Sequence, residues 1–126
     1  MTEENSNPQM IDTGLACFAI MANFFEKPIS IDQIRHKYDR QNSHFEEYEL
    51  LQLAKEFSFK ARFVETKWER LDKTALPAIA QSKDGAYFIL GRVADDKALI
   101  QDPAKGNHPE VLNKEEFTDR WNGRLL

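Results

Sequence analysis

The chain has 126 residues, enough for one domain that buries roughly two thirds of its unfolded surface. With 41% hydrophobic and 30% charged residues it reads as globular, and a formal charge of −4 gives no basic footprint for nucleic acid. One cysteine excludes an internal disulfide, and the three scattered histidines, His36, His44 and His108, give no zinc spacing. The polar, acidic start MTEENSNP is no signal peptide, and no apolar stretch approaches the ~20 residues of a membrane span. The expectation is a single soluble, cytosolic, metal-free domain over 1–126, monomeric in isolation and needing no cofactor of its own.

In chain order, residues 13 to 26 mix small and large apolar groups. Leu15, Phe18, Ile20, Met21, Phe24 and Phe25 cover most of the circumference, which predicts a helix buried nearly all round, with Asp12 as its N-cap. The segment KPISIDQIRHKYD restarts a helix at Ser30, with Gln33 three residues on as in a capping box and Ile31 and Ile34 turned inward. After RQNSH, the stretch FEEYELLQLAKEF repeats Tyr48 and Leu51, and Leu50, Leu53, Ala54 and Phe57, at helical spacing.

From Ser58 the period changes to two. Phe59, Ala61 and Phe63 alternate with Lys60, Arg62 and Val64, predicting a half-buried strand. A one-turn TKWERLDK leads to strands LPAIAQS, AYFILGRVA and KALIQDP, joined by turns at Lys83-Asp84-Gly85 and Asp95-Asp96, an antiparallel meander. PEVLN adds a further strand, and NKEEFTDRWNG reads as a final helix capped by Asn113. Helices first and antiparallel sheet second make an α+β domain.

The stretch MIDTGLACFAIM raises the question of chemistry. A helix N-terminus facing an antiparallel sheet is where a thiol is activated by the helix dipole and a facing histidine, with an Asp or Asn to orient that base. The stretches IDTGLACFAI, IDQIRHKYD, LLQLAKEF, ALPAIA, DGAYFILGRV, IQDP and EEFTDRWNGRLL stand in an order and spacing that resembles a known family. It is the papain-like, bacteriocin-processing cysteine peptidase domain that removes double-glycine leaders at the N-terminus of bacterial ABC exporters. The resemblance is nearest to the degenerate form in haemolysin-type (type I secretion) exporters, and runs from about Met10 to Leu126.

The resemblance implies a papain-like fold and maps the family's Asp-Cys-Gly onto Asp12, Thr13 and Gly14. Thr13 then takes the nucleophile's place, Tyr87 the histidine's, and Asp102 the orienting aspartate's. The oxyanion glutamine falls on Asn7, or on Gln9 after a local shift. Relatives that keep the histidine often stack it on a tryptophan, and here those two positions read Tyr87 and Gln81. The residues argue the same way on their own: a threonine hydroxyl without a base is hardly ionised, and a phenol with a reference pKa of about 10 is a poor base at neutral pH. Cys17, one turn on in an apolar helix, reads as a small core residue. Asp102 before Pro103 is equally suited to starting a turn, and Tyr87 to being an ordinary strand aromatic.

The resemblance therefore implies a domain that is not an enzyme. It would recruit an unfolded secretion substrate, a repeat-containing toxin or adhesin, at the cytoplasmic face of the bacterial inner membrane. Its partners would be that client and the transporter's own membrane and ATPase domains, with ATP bound only in the latter. Candidate client-binding residues are Phe24, Phe25, Trp68 and Tyr87. The alternatives from other classes are an active leader peptidase using Cys17 or Thr13, and a purely structural or regulatory exporter domain.

Overall fold

The computed structural model describes residues 12–38, 46–59, 61–106 and 108–126, with the backbone alone for 35–38. Four α-helices are described: α1 (Thr13–Phe24), α2 (Ile31–Tyr38), α3 (Glu47–Glu56) and α4 (Lys114–Arg120). Six strands, β1 (Val64–Glu65), β2 (Ala78–Ser82), β3 (Tyr87–Ala94), β4 (Lys97–Gln101), β5 (Pro109–Asn113) and β6 (Trp121–Leu125), form one antiparallel sheet in the order β1-β6-β2-β3-β4-β5. Two 3-10 turns lie at Trp68–Lys73 and Pro103–Lys105. The α+β architecture is the one the sequence predicts, and the hairpin between β3 and β4 turns on Asp95 and Asp96, both at positive φ (54° and 60°), as a tight primed turn requires.

The sheet buries both faces because alternate residues of a strand point opposite ways. On one side Phe88, Leu90, Ala98, Ile100 and Leu112 pack against Trp68, Leu71, Phe117 and Trp121. On the other, Ile79, Tyr87 and Ile89 pack against Leu15, Cys17 and Phe18 of α1 and Leu50 and Leu53 of α3. Three helix starts are capped as the sequence suggests. Leu15 N donates to Asp12 Oδ1 (3.0 Å), Gln33 N to Ser30 Oγ (3.3 Å) and Glu116 N to Asn113 Oδ1 (2.8 Å).

Four expectations need correction. The final helix stops at Arg120, and Trp121–Leu125 is a strand inserted between β1 and β2, with Trp121 and Leu125 in the core and Gly123 at φ 91°. Here pairing on both sides overrides a local helical pattern. The strand expected from Ser58 shrinks to Val64–Glu65, because Ser58 sits at positive φ (66°) and Phe59 N donates to Ala54 O (2.7 Å), closing the end of α3. Tyr48 is exposed rather than part of the buried stripe. Finally, α1 is buried at its start but not all round: Phe24 and Phe25, at its end, are 61% and 51% exposed.

Candidate functional site

Asp12 and Thr13 stand at the start of α1, both buried, and the helix start rests on the first residue of β3. Tyr87 N donates to Thr13 Oγ1 at 2.9 Å, so the threonine hydroxyl serves as acceptor for a buried backbone N–H. The Tyr87 ring turns under α3 instead of out of the corner. Its hydroxyl donates to Glu46 Oε1 at 3.5 Å, and only 1% of the residue is exposed. Burial, then the charges of Glu46 and Glu47, push the phenol above its ordinary pKa and hold it protonated at neutral pH.

Asp102 follows β4 and is buried beside α1. Its Oδ1 accepts from Ala104 N (2.9 Å), capping the Pro103–Lys105 turn, and its Oδ2 pairs with the guanidinium of Arg120 at the end of α4. Arg120 also donates from Nε to Ser82 Oγ (3.4 Å) and lies 4.4 Å over the Phe88 ring. The carboxylate is thus engaged in holding α4 and a turn to the sheet. Cys17 is fully buried, and burial first, then the charges of Asp102 and Asp12, raises its thiol well above the ordinary range.

The structure brings Thr13 and Tyr87 into contact and leaves Asp102 close enough to α1 to act on Cys17. It does not gather the four candidate client-binding residues. Trp68 is a core residue, its ring centroid 5.6 Å from that of Phe117, and Tyr87 is buried, so neither offers a face to a partner. Phe24 and Phe25 are exposed together, in edge contact at 5.1 Å. They lie at the opposite end of α1, roughly 18 Å from Thr13 at the usual helical rise. Gln81 accepts from Asn122 Nδ2 (2.7 Å) across the β2–β6 pair. Asn7, Gln9 and His44 lie outside the described residues, and His108 is exposed.

Sequence reasoning missed two arginines. Arg120 gave no signal because its partner is 18 residues away, on another element. Arg124 of β6 grips both carboxylate oxygens of Glu47, reaches Glu65 at 3.6 Å and lies 5.5 Å from the Phe63 ring centroid, clamping α3 and β1 together. It went unseen because Arg124 falls just past the expected helix, which ended at Gly123, and no strand was expected there. Among the described residues no helix is long and apolar enough to cross a membrane.

A helical layer whose first helix points its N-terminus at the start of a central antiparallel strand, with an Asp just past the end of the next strand, is the arrangement of a papain-like peptidase domain. The family model for peptidase C39 matches residues 5–126, and the chain belongs to that family. Among curated relatives, the cyclolysin secretion/processing ATP-binding protein of Bordetella pertussis is 35% identical over 118 residues, 91% of this chain and 16% of the relative. The alpha-hemolysin translocation ATP-binding protein of Escherichia coli O157:H7 is 28% identical over 114 residues, 89% of this chain and 16% of the relative. The chain therefore spans about a sixth of the length of these relatives.

Solved structures share the fold. The N-terminal peptidase C39 like domain of the toxin secretion ATP-binding protein from Vibrio parahaemolyticus superposes with a TM-score of 0.80 at 18% identity, covering 92% of this chain and 94% of that one. A double glycine motif protease from an AMS/PCAT transporter, in complex with its leader peptide, gives 0.76 at 21% identity, covering 99% and 86%.

Proposed function

We propose that this domain is a non-catalytic recruitment module of a type I secretion ABC exporter, holding an unfolded secretion substrate on the cytosolic side without cutting it. The observation that carries the reading is the corner where α1 meets β3. Where a peptidase needs a thiolate and an imidazole, a threonine hydroxyl accepts from a backbone N–H and a protonated tyrosine is folded away beneath α3. The exporter context is supported by relatives named for the secretion or translocation of cyclolysin and haemolysin. In that setting the partners are the client and the transporter's membrane and ATPase parts, the latter binding ATP, at the cytoplasmic face of the inner membrane. An unfolded client suits such a module because strand addition and apolar contacts require no folded epitope.

Two measurements test this. The purified domain is expected to leave a double-glycine leader peptide uncut, and cleavage abolished by Cys17→Ala would overturn the loss of catalysis. Titrating the isotope-labelled domain with a repeat toxin of the secreted class is expected to shift resonances with the unfolded form only. Binding is expected to be weak, because ordering a disordered chain costs several kcal/mol of the gross interaction energy. Equal shifts with folded and unfolded toxin would point to a folded epitope instead.

A further inference from the structure

The exposed end of α1 opens onto a groove of about 400 Å³ between the helical layer and the sheet, at the far end of the helix from Thr13. Phe18, Met21 and Phe25 form one wall, Phe59 another, and Ile79 and Leu126 the floor. Its aromatic wall is built as a chain: the Phe18 and Phe59 centroids are 5.8 Å apart, Phe59 and Phe25 6.0 Å, Phe25 and Phe24 5.1 Å. Large apolar side chains more than half exposed, set around a concave apolar surface, mark a site that a partner covers.

The charge at the rim says which partner. The single charged side chain in the lining is Arg62, exposed and with no carboxylate partner among the described residues. Lys27 reaches the Phe59 wall, its Nζ 4.9 Å over that ring and donating to the Phe57 carbonyl at 3.2 Å, and it too has no carboxylate partner among the described residues. A cationic rim is unexpected on a chain of net charge −4. We infer that this groove takes a short acidic-apolar segment of the unfolded client, its aliphatic or aromatic side chains entering between Phe25, Phe59 and Ile79 and a neighbouring carboxylate meeting Arg62. This rests on the client-binding reading, and gives it a place on the molecule separate from the relict catalytic corner.

The test uses fluorescently labelled disordered peptides: one alternating leucine and phenylalanine with aspartate, one with lysine for each aspartate, and one with serine for each apolar residue. The acidic-apolar peptide is expected to bind tightest. Ala61→Trp and Ala75→Trp fill the groove from exposed positions that the fold does not need, and are expected to weaken it about tenfold or more, a loss of one well-packed contact. Arg62→Glu is expected to weaken the acidic peptide about threefold, the scale of an exposed ion pair, and to favour the lysine peptide. Unchanged affinities in all three variants, or no preference among the peptides, would overturn the inference. If the groove-filled variants keep full affinity for unfolded toxin, the groove is refuted and the client-binding reading stands. If the peptides bind as expected but unfolded toxin does not, the client-binding reading is refuted and the groove's specificity stands.

Discussion

Arg120→Met removes the guanidinium that neutralises Asp102 while keeping an apolar stem against Phe88. The Asp102 side chain is 7% exposed and that of Arg120 23%. Breaking a fully buried pair by removing one partner costs about 3–5 kcal/mol, because a charge is left in low dielectric. Here Asp102 keeps the Ala104 N–H, and water reaches the Arg120 side, so the expected loss is about 2–3 kcal/mol. For a domain of this size that is roughly 10 °C in Tm. Urea unfolding is expected to show a lowered midpoint with an unchanged slope. The decisive comparison is a cycle with Asp102→Asn: if the two groups act as a pair, the double variant is less destabilised than the sum of the singles by about 1–2 kcal/mol. Additivity within about 0.5 kcal/mol would refute the claim that Asp102 and Arg120 act as a structural ion-pair anchor.

Three further outcomes are expected. Thr13→Val leaves the Tyr87 N–H buried without an acceptor and is expected to cost about 1–3 kcal/mol in chemical denaturation, whereas Thr13→Ser keeps the acceptor and costs less. Cys17, buried and with its thiol pKa raised, is expected to resist alkylation in the native state at neutral pH and to react once the domain is unfolded; rapid native labelling would contradict its core role. Tyr87 has a folded pKa raised above the unfolded value of about 10, so its contribution is complete below about pH 10 and is lost as pH rises above it; Tyr87→Phe is expected to flatten the alkaline limb of stability against pH.

The helices and the meander were legible because their signals are local. Asp12, Ser30 and Asn113 announce helix starts, and Asp95-Asp96 announces a hairpin, each within a few residues. The juxtaposition of Thr13 and Tyr87 was legible only through the resemblance, since the two are 74 residues apart. What failed was decided by tertiary partners. WNGRL carries a helix-compatible start, and only its neighbours β1 and β2 make it a strand. Trp68 was read as a binding aromatic because composition cannot tell a buried ring from an exposed one; Phe117 and Trp121, far along the chain, cover it. The groove, assembled from both layers, has no contiguous sequence signature.

The position of β6 also bears on how the domain is made. It pairs with β2 and β1 at once, with Ala80 opposite Leu125 and Val64 opposite Leu125 on its two edges. On a ribosome, β2 through β5 can zip into a meander as they emerge, but β1 has no partner and β2 an open edge until residues 121–125 follow. Arg124, the clamp on Glu47, arrives in that same last segment. The helical layer is therefore synthesised first and fastened last, so a nascent chain stalled short of Trp121 carries its apolar helical face and an unpaired strand edge together, the combination most prone to misassociation.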